Sequence, residues 1–265
     1  MAEISVSMNT RTGSVHNATI ETRYTKSIDE SGWLMILLDG KSKVSVPEFV
    51  KVVLMKKRGK NGEPTKENET RTYFIVQEGR YKGETASLSK ENSEKCLIKT
   101  TRGKGANITA KIIGRSWEFS QPKKEKYNQL WATLSFDGKQ ARITLDSDVP
   151  FIETNTNSPY RDQILHSKPL PKGTYKIRAP EAAGREDFTN FYVTGPGGYS
   201  GLKYHTVWFL IENATTHNSN FVHVGNVSEG CVTMYQLEMW NVLYRYLISN
   251  RMDKEGKYVG TVTIE

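Results

Sequence analysis

The chain has only two cysteines, Cys96 and Cys231, and no Cys-x-x-Cys pair. A disulfide framework is therefore excluded, although a single Cys96–Cys231 bridge stays arithmetically open. No stretch reaches the roughly 18 consecutive apolar residues that a membrane-spanning helix needs. The longest apolar patch, Trp33 to Leu38, has the length of a strand. The opening residues, MAEISVSMNT, lack a basic segment followed by a hydrophobic one. No secretory leader is legible there, and Met1 argues against one already removed, so synthesis in the cytoplasm is expected. There is no fixed-period repeat and no long low-complexity tract.

What is present is enough material for a core: 37% hydrophobic and 25% charged residues in 265. The length suits one large domain or two modest ones. The net charge of +8 is uneven: residues 1–126 carry 24 Lys/Arg against 15 Asp/Glu, and residues 127–265 carry 13 against 14. A basic first half suits a polyanionic partner: nucleic acid, an anionic membrane face or an anionic wall polymer. A plain solvated surface suits it better, because Glu63, Glu67, Glu69, Glu91 and Glu94 interleave the basic residues. No recognisable nucleic-acid-binding motif accompanies the charge, which disfavours nucleic acid.

The first half reads as β. Short segments rich in β-branched and aromatic residues run over Ile4–Met8, Ala18–Arg23, Trp33–Leu38, Val50–Lys56, Thr70–Gln77, Glu94–Thr100 and Asn107–Ile113. Asp39-Gly40 and Asn61-Gly62 are hairpin signals, and Lys56–Glu69 reads as an exposed loop. Cys96 is expected on a strand as a buried structural thiol. The charged stretch Ser120–Gln129 reads as a linker or a long loop, dividing a β-rich basic domain (1–126) from a second domain (127–265).

The second half opens on a hairpin, Gln129–Phe136 and Gln140–Leu145 around Asp137-Gly138-Lys139. Strands are expected near Ile177 and over Phe188–Thr194, His205–Glu212, Phe221–Val224 and Val259–Ile264. One helix is expected over Tyr235–Asn250, where Leu237, Trp240, Tyr244, Leu247 and Ile248 share a face and Thr233 offers an N-cap.

The segment Phe221–Met234 concentrates the chemistry. A strand delivers His223, a loop containing Gly225 and Ser228 follows, and Gly230-Cys231 precedes the expected helix. A cysteine near a helix N-terminus sees free N–H groups and the positive end of the dipole, both of which favour thiolate. An imidazole within reach can take the thiol proton. The Gly230 and Cys231 N–H groups could polarise a carbonyl. His205, His217, His223 and Cys231 could supply metal ligands on paper, but their spacing fits no known site. No metal and no cofactor is expected. His205 reads as structural and His217 as exposed.

Pro171-Lys-Gly173-Thr-Tyr175-Lys-Ile177, then His223, then Ser228-Glu-Gly230-Cys231-Val232, then the helix with Leu243-Tyr244-Arg245-Tyr246-Leu247, resemble the catalytic domain of L,D-transpeptidases (YkuD-type) over residues 129–250. Three features depart from that family: Glu229 stands where its signature has a second His, Thr233 where Arg or Asn is usual, and the His223–Cys231 gap is short. The short Ser-Glu-Gly-Cys form is more similar to secreted antibacterial effectors, including type VI secretion toxins.

The resemblance implies a mainly β protein with a C-terminal β-sandwich and one helix after the nucleophile. It implies Cys231 as nucleophile, His223 as acid–base, the Val224 carbonyl orienting the imidazole, and Ser228 positioning loop or substrate. It also implies peptidoglycan stem peptides as substrate, action in the periplasm or at the wall, and a secretion apparatus and immunity protein as partners. Papain-like and NlpC/P60-type hydrolases place Cys before His, and no His follows Cys231. The competing reading is a non-catalytic wall- or polyanion-binding protein on such a scaffold, whose thiol would alkylate slowly where a working one reacts fast near neutral pH.

Overall fold

A computed structural model describes residues 21–39, 42–55, 70–120, 125–184, 186–213, 219–252 and 255–265. The expected strand Ile4–Met8, the start of Ala18–Arg23, Gly40 of the Asp39-Gly40 signal, the whole Lys56–Glu69 loop with its Asn61-Gly62 turn, and His217 lie outside these residues. Among the described residues no helix is long and apolar enough to cross a membrane.

The protein is mainly β, as the sequence indicates. Seven strands form the first sheet: β1 (Thr22–Thr25), β2 (Trp33–Leu38), β3 (Lys43–Pro47), β4 (Lys51–Leu54), β5 (Arg71–Val76), β6 (Thr85–Ser89) and β7 (Leu97–Ile98). Their order is β3-β2-β6-β5-β4-β1-β7. The alternation of β2 buries Leu34 and Ile36 against Val52, Phe74 and Leu88. Cys96 is buried as expected but ends a short helix, α1 (Lys90–Cys96), rather than sitting on a strand. The helix has its own local signals: the Ser89 hydroxyl accepts from the Asn92 N–H at 3.2 Å, and Glu91 pairs with Lys95 one turn later.

Eight further strands close a barrel: β8 (Ala106–Ser120), β9 (Glu125–Phe136), β10 (Lys139–Asp146), β13 (Gly173–Arg178), β14 (Phe209–Glu212), β15 (Asn220–Val224), β16 (Val232–Met234) and β17 (Tyr258–Ile264). Around the barrel the order is β10-β16-β15-β14-β13-β17-β8-β9. The layers expected of a sandwich are thus joined into one continuous sheet. Two exposed strands, β11 (Pro150–Ile152) and β12 (Ile164–His166), form a separate hairpin. Asp137 and Gly138 make the expected turn, with φ of 47° and 70° at the two positions between paired Phe136 and Lys139.

The division at residue 126 falls inside the β8–β9 ladder, which pairs from Thr109↔Ser135 to Ser120↔Glu125. The two sheets separate between Ile98 and Ala106 instead. Of the stretch read as a linker, Ser120 and Glu125–Gln129 are strand residues of this ladder, and residues 121–124 lie outside the described ones.

α2 (Phe191–Thr194) and a preceding 3-10 turn, Glu186–Phe188, replace the strand expected over Phe188–Thr194. α3 (Trp240–Ser249) follows a 3-10 turn, Leu237–Met239, so the helix begins later than Tyr235. Its expected face holds: Leu237, Trp240, Tyr244, Leu247 and Ile248 are all buried in the barrel core, joined by Leu243. α3 also carries the seam to the first sheet. Buried Glu48 accepts from the Ser27 N–H at 2.8 Å, the Ser27 hydroxyl at 2.7 Å and the Tyr244 hydroxyl at 3.0 Å. The Trp33 indole N–H donates to Thr206 Oγ1 at 3.2 Å.

Candidate active site

β15 and β16 lie side by side and parallel, with Val222↔Val232, His223↔Thr233 and Val224↔Met234 in register. Val222, Val224, Val232 and Met234 enter the core. Strand alternation therefore puts Phe221 and His223, and Cys231 and Thr233, on the opposite face. This brings His223 and Cys231 to one surface, a diagonal step apart. The helix-dipole expectation for Cys231 is not met. Cys231 leads into a strand, α3 begins only at Trp240, and Thr233 is a buried strand residue rather than an N-cap. The Val-Thr-Met run has strand period: its two outer residues fill the core, which fixes Thr233 on the far face.

Parallel neighbours usually need a crossover of about a dozen residues or more, yet only residues 225–231 separate β15 from β16. Buried polar groups pin this short link. The Gln129 side-chain amide donates to the Asn226 carbonyl at 2.8 Å, and its oxygen accepts from the Thr144 and Ser147 hydroxyls at 2.6 and 2.8 Å. Ser228 and Ser147 are tied twice: Ser228 N–H to Ser147 Oγ, and Ser147 N–H to Ser228 O, each at 2.7 Å. The Ser228 hydroxyl donates to the Cys231 carbonyl at 2.9 Å, and Asn220 Nδ2 donates to the Gly230 carbonyl at 2.8 Å. The Asn226 N–H donates to the Tyr192 hydroxyl at 3.0 Å, and the Gly225 N–H to the Met234 carbonyl at 3.2 Å. Ser228 thus holds the loop; the sequence offered no signal for its partners Gln129, Ser147 and Tyr192.

Gly230 is fixed by geometry. Its φ is +95°, and a Cβ there would stand 2.5 Å from the Lys168 carbonyl oxygen. Gly230→Ala is expected to cost about 2 kcal/mol or more through backbone strain and displacement of Lys168. Urea unfolding of the variant checks this; an unchanged midpoint would contradict it.

The His223 ring stacks on Trp208, with centroids 4.7 Å apart and planes at 28°. Nδ1 lies 2.9 Å from the Val224 carbonyl oxygen, which can only accept, so Nδ1 carries the proton and Nε2 the lone pair. Nε2 lies 3.2 Å from the Thr233 hydroxyl. Burial pushes the imidazole down to about 4, with the Val224 carbonyl partly opposing. An unfolded histidine titrates near 6.5, so between these values the unfolded chain binds a proton that the folded one refuses. Stability is therefore complete above pH 6.5 and is lost as pH falls toward 4, by up to about 3 kcal/mol. Unfolding free energies at pH 7 and pH 4.5 should differ less in His223→Gln than in the wild type; equal differences would contradict this origin.

The Cys231 thiol is partly exposed and accepts from the Phe221 N–H at 3.4 Å. Burial pushes it up to about 11, the Phe221 N–H opposes this, and Glu229 adds to it. No hydrogen bond joins Cys231 to His223 among the described residues. At rest the pair is an uncharged thiol and an uncharged imidazole, not an ion pair.

A cavity of about 400 Å³ opens beside His223, walled by Tyr192, Trp208, Phe188 and Val227 and rimmed by Asp187 and Glu229. Glu229 is exposed. The Asp187–Tyr192 wall was hidden from the sequence because that segment reads as a strand. His205 lies outside the strand expected for it, with Nδ1 2.8 Å from Thr189 Oγ1. The Pro171–Ile177 segment does form a strand entry: Tyr175 donates to the Pro171 carbonyl at 2.8 Å, and Ile177 is buried. Among the described residues no group of three or more His, Cys, Asp or Glu is placed to hold a metal ion.

Compared with protein-family models, with curated proteins and with solved structures, the chain matches none.

Proposed function

We propose that this protein is a cysteine acyltransferase of the L,D-transpeptidase type acting on peptidoglycan stem peptides. The observation that carries the reading is the fixed His223 tautomer: its lone-pair nitrogen is on the barrel face that also bears Cys231. Neither Cys231 nor Thr233 lines the cavity, so the bound peptide must extend from it along the barrel face to Cys231, and Nε2 must leave the Thr233 hydroxyl. The Cys231 thiol passes its proton to Nε2 as sulfur attacks the carbonyl carbon of the third stem residue. The oxyanion is held by the N–H groups of Gly230 and Cys231. The C–N bond then breaks, and the departing D-alanine amine takes the proton from Nε2. An incoming amine attacks the thioester, gives its proton through Nε2 to the leaving sulfur, and yields a 3–3 crosslink or an exchanged terminal residue. Water in its place gives carboxypeptidase action. Val224 orients the imidazole through its carbonyl, Gly225 and Ser228 set the loop, and Glu229 stands at the cavity rim.

In this reading the protein acts in the periplasm or at the wall after delivery by a secretion apparatus. An immunity protein guards the producing cell, and the basic first half contacts a wall polymer. The test is mass spectrometry of purified tetrapeptide muropeptides incubated with wild type and with Cys231→Ala. Loss or exchange of the terminal residue, or a 3–3 dimer, is expected with wild type alone. Absence of all three on muropeptides and on intact sacculi would refute the proposal.

A further inference from the structure

A second cavity, of about 740 Å³, lies where the first sheet meets α3, away from His223 and Cys231. Lys26, Ile28, Phe49 and Ile98 line it from the first sheet's side, and Tyr204 and Arg245 from the barrel's side. Six described residues other than glycine have positive φ, and three of them, Glu30 (56°), Phe49 (58°) and Tyr204 (58°), stand on this one wall. The other three are aspartates, which tolerate this conformation in turns. A bulky aromatic in the left-handed region persists only where its surroundings hold it, and such residues gather at ligand clamps. Both aromatics are held. The Phe49 N–H donates to the Thr25 carbonyl at 2.8 Å, and the Thr25 hydroxyl donates to the Pro47 carbonyl at 2.7 Å and accepts from the Val50 N–H at 2.9 Å. Tyr204 stacks on Tyr244 with centroids 4.0 Å apart, and its carbonyl accepts from the Trp240 indole at 3.1 Å.

The surface open to a ligand is apolar with one spare charge. Ile28 is 59% exposed, and Phe49 and Ile98 are half-buried, so all three can be touched from the cavity. The other charges on the wall are already engaged. Glu30 is held between Lys203 and Arg245, and Lys95 pairs with Glu91 on its own helix. Glu48 turns its two oxygens onto Ser27 and Tyr244. Exposed Lys26 has no hydrogen bond or ion pair through its side chain among the described residues, and it pulls on Glu30 only through space. A lone cation beside a preformed apolar wall complements a molecule with an apolar body and a single negative group.

We propose that this cavity binds an amphipathic monocarboxylate, of the medium-chain fatty acid class, with its carboxylate on Lys26 and its hydrocarbon body against Ile28, Phe49 and Ile98. The walls come from both the first sheet and the barrel, so the ligand stabilises their docking by mass action. The site is independent of the acyl-transfer reading.

Calorimetric titration of the full chain with decanoate tests it, with decanol as the uncharged probe, decyltrimethylammonium as the cationic one and acetate as the carboxylate without a tail. Decanoate is expected to bind at one site, at least about tenfold more tightly than decanol or decyltrimethylammonium, and to raise the melting temperature; acetate should give no detectable heat. Lys26→Gln, at an exposed position, should fold normally and bring decanoate down to the level of decanol while leaving decanol unchanged. Ile28→Ser, also exposed, should weaken decanoate and decanol alike. Cys231→Ala should bind decanoate as the wild type does, which separates this cavity from the candidate active site. Decanol or decyltrimethylammonium binding as tightly as decanoate, or an unchanged decanoate affinity in Lys26→Gln, would overturn the carboxylate assignment. Absence of saturable decanoate binding would overturn the site itself.

Discussion

His223→Ala should lower acyl transfer on tetrapeptide stems by about 10²- to 10⁴-fold, the usual contribution of a placed acid–base group. The size follows from the resting state of the pair. With the thiol near 11 and the imidazole near 4, thiolate is scarce at neutral pH, so attack depends on a base that removes the proton as the bond forms. The pH profile carries the same signature. The rate on free enzyme should rise as the imidazole loses its proton near 4, stay level through neutrality, and change again only near 11. A narrow bell centred on neutral pH would contradict this. Thr233→Val separates base from partner: it frees Nε2 without removing the imidazole, and activity should fall far less than in His223→Ala. The same resting state alters the meaning of thiol reactivity. Slow alkylation at neutral pH fits a partly exposed thiol that rests protonated, so it does not by itself mark Cys231 as structural.

Trp240→Ala should destabilise the protein by about 3–5 kcal/mol, the range for removing a large buried aromatic. Trp240 has no exposed surface. Its indole N–H donates to the Tyr204 carbonyl at 3.1 Å, and its ring meets Phe209 edge-on with centroids 6.3 Å apart. Phe209 in turn packs on Tyr244, whose hydroxyl reaches Glu48 of the first sheet. One residue thus supports both the barrel interior and the seam. Trp240→Phe should cost less, about 1–3 kcal/mol, mainly by leaving the Tyr204 carbonyl unpaired. Urea denaturation at constant slope checks both; a loss below about 1 kcal/mol for the alanine variant would contradict the packing account.

Local pattern made much of this fold legible. The α3 face repeats at helical spacing and stays buried although the helix starts only at Trp240, and Asp137-Gly138 makes a two-residue turn with Lys139 already on β10. The Val224 carbonyl contact of His223 came from the family resemblance alone, and the structure places the two atoms 2.9 Å apart. What was hidden depends on residues distant in the chain. Gln129, Ser147 and Tyr192 hold the 225–231 loop from three other parts of the sequence, and nothing about their neighbours announces it. The setting of Cys231 was misjudged for a different reason. The apolar face of α3 drew attention to a helix start, while Val232-Thr233-Met234 alternates as a strand and takes its partners on both sides, β10 and β15. The β8–β9 ladder was missed because the charged, Pro-containing run Ser120–Gln129 hides the pairing of Ser120 with Glu125, a contact between strands that composition does not show.

The most direct test of the account is the intact mass of the protein, quenched in acid soon after mixing with a tetrapeptide stem. The account predicts an adduct equal to the stem without its terminal residue, located by digestion on the peptide that contains Cys231, and none on Cys231→Ala. An unmodified Cys231 together with undiminished turnover by Cys231→Ala would contradict it.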